Sequence, residues 1–135
     1  MTCKVCPLGT LAPYKYVVVM SEYQGKILLS RHKDRTTWET QGGHIEPGET
    51  PLEAARRELY EESGALDFDI RPVFDYWAGD ETGGASGQVF AARIHTLGPL
   101  PRSEMAEVRA FDRVPPNVTY PAITPEIFAS LEEFR

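Results

Sequence analysis

Two apolar, β-branched runs, "YKYVVVM" (14–20) and "KILLS" (26–30), flank the turn-like "SEYQG". Their composition and spacing predict a hairpin. "RHKDRTTWET" reads as a polar loop leading into a short strand, and "QGGHIEPGET" (41–50) as a loop punctuated by glycine and proline. Farther along, "IRPVFDYWAGD" (70–80), with an early Pro72, and "QVFAARIH" (88–95) flank the turn "ETGGASG" and predict a second hairpin. "VRAF" (108–111) is a further short strand. A helix is expected over residues 125–134, with Thr124 as its N-cap and Pro125 in the first helical position.

Between the two hairpins the pattern changes to a helical one. Thr50 can cap a helix, Pro51 suits its first position, Glu53 completes a capping box and Gly64 can close it in a left-handed conformation. Leu52, Ala55 and Leu59 form one apolar stripe that should pack on a sheet. Glu58, Glu61 and Glu62 occupy a neighbouring arc of about 100° at the edge of that stripe. Like charges three and four residues apart oppose a helix by a few tenths of a kcal/mol per pair, roughly. A solvated face would usually interleave lysines, whereas a divalent-cation site needs clustered carboxylate oxygens. Strands plus two well-separated helices predict an α+β or sandwich-like α/β domain, with no internal repeat or low-complexity linker.

Composition narrows the function. At 135 residues the chain suits one domain, with 41% hydrophobic and 25% charged residues typical of a globular fold. A net charge of −6 argues against nonspecific binding to polymeric nucleic acid or an anionic membrane. It also means that an anionic substrate such as a phosphate ester needs a cation in its site. Cys3 and Cys6 form a lone C-x-x-C at the terminus, and His32, His44 and His95 are scattered. Free reduced thiols are the simpler reading than a zinc or redox site. With no long apolar run and no signal-peptide core, the chain reads as cytoplasmic.

Read from loop into helix, residues 43–65 are G-HIEPG-E-TPLEAAR-R-E-L-Y-E-E-S-G-A. This resembles the signature of the Nudix hydrolases, matching at Gly43, Glu49, Arg57, Glu58, Leu59, Glu61, Glu62 and Gly64. Ala65 stands where a larger aliphatic is usual, and Gln41 where the family often has proline. The resemblance implies a Nudix α/β/α sandwich with a mixed central sheet over residues 14–135, preceded by a segment 1–13 carrying the cysteines. It also implies hydrolysis of nucleoside diphosphates linked to another moiety, by attack of water at phosphorus. Mg²⁺ is the expected cofactor, with Mn²⁺ as a substitute.

By resemblance, Glu58 and Glu62 are metal ligands, Glu61 is a ligand or water-positioning group, and the Gly43 carbonyl joins the set. Arg57 and Glu49 are expected to hold the loop against the helix through a guanidinium–carboxylate pair. Glu104 is the candidate general base or extra ligand, Glu107 the runner-up, and Ala110 stands where the family often has Trp. Arg31 is a candidate phosphate contact, and His44 is a loop residue near the metal loop. Of the aromatic candidates for a base site, Tyr76, Trp77, Phe90 and Tyr120, most are expected in the core. Asn117 follows two prolines and resembles a purine-binding Asn of the nucleotide-pool-cleaning branch; a turn-stabilising role is the other reading.

The function these residues imply is a nucleoside triphosphate pyrophosphohydrolase of the 8-oxo-dGTP diphosphatase kind, working on a small-molecule nucleotide as monomer or homodimer. Hydrolysis of ADP-ribose or another dinucleotide or sugar nucleotide is the alternative. A non-catalytic nucleotide sensor is disfavoured because every metal-binding glutamate is present. An isoprenoid-diphosphate isomerase is disfavoured because both cysteines fall in the first six residues.

Overall fold

In the computed structural model, residues 1–131 are described. The elements run β1 (Thr2–Cys6), β2 (Tyr16–Tyr23), β3 (Lys26–His32), β4 (Gln41–His44), α1 (Pro51–Ser63), β5 (Ala65–Asp80), β6 (Gly83–Leu97), β7 (Met105–Phe111) and α2 (Thr124–Ser130). The strands form one sheet in the order β1-β5-β6-β2-β3-β7, with β4 branching from β2. β2 and β6 run parallel and the other pairs antiparallel, so the sheet is mixed and the class α+β, as expected. No helix among the described residues is long and apolar enough to cross a membrane.

The helices cover opposite faces. On one, Ala54, Ala55 and Leu59 of α1 pack with Val17, Val19, Leu28 and Phe90. Fully burying Leu59 contributes roughly 1.5–3 kcal/mol. On the other face, Ile127 of α2 packs with Met20, Val73, Phe74 and Val89. Leu52, expected in the α1 stripe, is 41% exposed, and Ala54 takes its place against the sheet.

The ladder extends farther than the apolar pattern indicated. Ser21–Tyr23 continue β2, and the first turn tightens to Gln24 and Gly25, both at positive φ. The glycine-rich "ETGGASG" is mostly strand: β6 starts at Gly83, and Asp80 closes a two-residue turn by accepting from the Thr82 N–H and hydroxyl. Pro72 sits where the β5–β6 register shifts, a place that tolerates a missing N–H. The segment with Cys3 and Cys6 is β1, an edge strand on β5, and both cysteines are free. Thr124 is the first residue of α2 rather than its cap: it is buried, its N–H donates to Tyr120 O, and no side chain caps the helix. The turn at Tyr120–Ile123 already starts the coil there. Residues 132–134, expected in this helix, lie outside the described residues.

One feature of the sheet positions the site. The same edge of β2 pairs first with β4, over Tyr16–Val19, and then with β3, over Ser21–Tyr23. Residues 41–44, expected as loop, are strand because β2 offers them this edge. Gln41 stands at the branch, fully buried.

Candidate functional site

Local chemistry fixes α1 at both ends. The Thr50 hydroxyl accepts from the Glu53 N–H (3.1 Å) and the Glu53 carboxylate accepts from the Thr50 N–H (2.9 Å), completing the capping box. Gly64 ends the helix at φ +84°, its N–H donating to Tyr60 O at 2.8 Å. The angular positions of Glu58, Glu61 and Glu62 follow from those two ends.

Arg57 is the hub beside them. Its Nε and Nη2 donate to the two oxygens of Glu49 at 2.7 and 2.9 Å, and Nη1 donates to Glu58 Oε1 at 2.5 Å. Nη2 also reaches the His44 carbonyl (3.2 Å), and Nη1 lies 3.5 Å from Glu61 and 3.8 Å from Glu46. One planar fork thus holds the 44–49 loop on the helix and offsets part of the Glu58 charge. The guanidinium's hydrogen bonds hold the Glu49 carboxyl down at about 2. Burial pushes Glu58 above the usual carboxylate range, with Arg57 opposing it.

Glu62 is the most perturbed of the three. Burial pushes its carboxyl up to about 8, against a 2.7 Å hydrogen bond from the Gly42 N–H, and nearby Glu58, Glu39 and Glu61 add to the rise. Glu58 leans on β4: a Cβ on Gly43 would lie 3.0 Å from its Cδ and Oε1. Gly42, at φ +155°, passes so close to the Val17 carbonyl that a side chain would collide with it. The glycine pair therefore lets β4 run between the β2 backbone and the carboxylates.

Hard oxygen donors on a pair of partly desolvated acids fit Mg²⁺ or Mn²⁺. Among the described residues no trio of His, Cys, Asp or Glu side chains is gathered as a ready cage. Mg²⁺ does not need one, since it usually keeps several waters and takes one or two carboxylates plus substrate phosphates.

The remaining candidates lie elsewhere. Glu104 has an 83% exposed side chain, 3.7 Å from His32. Arg31 follows Ser30 on β3 and so faces away from α1, where it meets Glu107 at 3.3 Å and the Arg35 carbonyl. Glu107 is held below the usual range by hydrogen bonds from Arg109 first and then Arg31. Asn117 braces two loops, its side-chain Nδ2 donating to Thr36 O and its main-chain carbonyl accepting from the Trp38 N–H. The His44 ring lies against Tyr16. Tyr76 and Phe90 are core, whereas Tyr120 is exposed and Trp77 only partly buried. Two residues escaped the sequence reading. Glu39 is 8% exposed, pairs with Arg35 at 3.1 Å and raises Glu62. Trp38 lies under the Arg109 guanidinium and edge-on to Phe111. A single acid and a single aromatic in a polar loop carry no periodic signal.

Comparison with known proteins bears on the family and the fold. A family model described as the NUDIX domain matches residues 13–125. An RNA pyrophosphohydrolase of Francisella philomiragia is 38% identical over 56 residues, 42% of this chain and 36% of the relative. A Bacillus subtilis protein provisionally named an 8-oxo-dGTP diphosphatase is 47% identical over 49 residues, 36% of this chain and 32% of its own length. The matches thus span about a third of these relatives. In fold, the chain resembles a crystallised mutant of the Bacillus subtilis pyrophosphohydrolase BsRppH, with a TM-score of 0.81 and 24% identity. That likeness covers 97% of this chain and 90% of the other.

Proposed function

The chain belongs to the Nudix family, and on that premise we propose that it is a divalent-cation-dependent hydrolase of phosphoric anhydride bonds. The simplest substrate is a nucleoside triphosphate, including 8-oxo-dGTP, cleaved by water to the monophosphate and pyrophosphate. The observation that carries this reading is the pair Glu58 and Glu62: two partly desolvated carboxylates at one end of a doubly capped helix, only one of them touched by Arg57. Glu58, Glu62 and the Gly43 carbonyl are the groups that would hold the ion. When bound, Mg²⁺ would neutralise phosphate oxygens and the charge that builds on them as the anhydride breaks.

The chain's own contribution is placement. Arg57 opposes the upward push of burial on Glu58 and fixes one of its oxygens, and the Gly42 N–H aims one oxygen of Glu62. Glu61, with a half-exposed side chain, is available to orient the attacking water. Glu104, on an exposed loop, is the second candidate for that task. A 5′-triphosphorylated RNA end is the second reading. It is favoured by the relatives named RNA pyrophosphohydrolase and requires the same bond cleavage.

The test is a Mg²⁺ screen of nucleoside triphosphates, 8-oxo-dGTP, ADP-ribose and a triphosphorylated oligoribonucleotide, with products identified by phosphorus NMR. Monophosphate plus pyrophosphate from a free nucleotide supports the first reading. Release from the oligonucleotide alone selects the second. Nucleotide binding with no turnover of any substrate would overturn both.

A further inference from the structure

We propose that Gln41 and Ser30 are positioning residues for Glu62, linked in one buried hydrogen-bond chain that runs from β2 to the end of α1. The proposal rests on the reading that Glu62 is a metal ligand. Its basis is the branch in the sheet, where β2 exchanges β4 for β3 and Gln41 fills the gap.

Donor and acceptor roles in this chain are fixed by chemistry. Gln41 Nε2 reaches Ser30 Oγ at 2.9 Å and the Leu28 carbonyl at 3.3 Å, so its two N–H bonds are used there. Gln41 Oε1 must then accept, and does so from the Ser21 hydroxyl at 2.5 Å, a hydroxyl that also lies 3.1 Å from Leu28 O. Ser30 Oγ spends its single proton on the Glu62 carbonyl at 2.8 Å. Ser21, Gln41 and Ser30 are all buried, so water does not compete, and every dipole points toward the helix.

The end of that chain is where α1 needs it. The last carbonyls of a helix lack intrahelical partners and carry the negative end of its dipole. Here three glutamates crowd that end, and no basic residue lies in the last turn. The Ser30 hydroxyl supplies a partner to the Glu62 carbonyl, while the Gly42 N–H, one residue from Gln41, supplies a partner to the Glu62 carboxylate. Gln41 thus braces both supports of one residue.

The experiment measures Mn²⁺ binding by loss of the free-ion electron paramagnetic resonance signal, alongside kcat and thermal melting. The proteins are wild type, Ser30→Ala, Gln41→Met, the double variant, Glu62→Gln and Tyr14→Phe. Tyr14→Phe removes a partly buried hydroxyl bound to Asp75, away from α1, and controls for lost stability. We expect Ser30→Ala and Gln41→Met each to weaken Mn²⁺ binding about tenfold. The double variant should be no weaker than either single, because one severed chain cannot be severed again. Tyr14→Phe should leave the Mn²⁺ affinity unchanged. Affinity within twofold of wild type in both singles, with Glu62→Gln still defective, would overturn the positioning role alone. Additive losses, or a loss that tracks melting temperature in Tyr14→Phe as well, would also overturn it. Undiminished binding in Glu62→Gln would overturn the metal assignment beneath it. If Ser30→Ala does not fold, Gln41→Met, of similar volume, carries the same test.

Discussion

Two desolvated carboxylates, one in the sheet and one on the helix packed against it, are treated in opposite ways. Asp75 on β5 is fully enclosed, and its oxygens accept from the Leu11 N–H at 2.9 Å and from the Tyr14 hydroxyl at 2.9 and 3.0 Å. Neutral donors surround it and tie the segment before β2 to the sheet. Glu62 receives one N–H, from Gly42, and looks onto Glu58, Glu39 and Glu61. A buried charge is tolerated when partners satisfy it and otherwise takes up a proton or an external cation. Asp75 therefore belongs to architecture, and Glu62 is left open to a cation from outside.

That contrast can be broken most severely at Glu62. Glu62→Gln is expected to cut Mg²⁺-dependent turnover at least ~100-fold while the fold survives, since it removes a charge that the metal-free fold holds at a cost. Turnover by phosphorus NMR and a thermal melt without metal check both halves; an active variant would end the metal assignment. Asp75→Ala should do the reverse. It strands the Leu11 N–H and the Tyr14 hydroxyl, costing roughly 2–3 kcal/mol in urea unfolding, with Mn²⁺ affinity preserved. Weakened Mn²⁺ binding in that variant would dissolve the distinction. Arg57→Lys keeps the charge but loses the fork on Glu49 and Glu58, and should lower kcat about tenfold with a smaller change in stability.

The smallest effect is on pH dependence. Glu62 has a folded value of about 8 against an ordinary 4.5, so its cost to the metal-free fold is absent below about 4.5 and complete above about 8. Stability without metal should fall as pH rises through that window, and Glu62→Gln should flatten the fall. Glu49, held at about 2, has the opposite sign: its contribution is present above about 4.5 and is lost as pH drops toward 2. Melting temperature against pH in chelator, for wild type, Glu62→Gln and Glu49→Gln, separates the two. A flat wild-type profile from pH 4.5 to 8 would contradict the burial argument for Glu62.

What could be read from the sequence was what short-range chemistry determines. Thr50, Pro51, Glu53 and Gly64 delimit α1 because caps act within four residues, and the box spacing then places Arg57, Glu49 and the glutamates. Strands and two helices were legible from the changes of period, and the mixed sheet only from the family resemblance. Gln41 was visible only as a departure from the family pattern, because its role depends on β2 changing partners, a choice made across the sheet. Glu39 and Asp75 were hidden for the same reason: each is a lone acid whose burial is set by distant strands. Thr124 misled because a good capping residue followed by proline is a local signal, overridden by the turn packed just before it.

The branched edge of β2 also determines where this chain can change in length. Side chains on a strand alternate between faces, so one residue added or removed between Gln41 and Gly43 would put these two on opposite faces of the sheet. The 33–37 loop joins elements without fixing a face, and its tip is exposed, whereas Arg57 holds the 45–49 loop through Glu49. Relatives that diverge by insertion should therefore lengthen the 33–37 loop while the four residues Gln41–His44 keep their number.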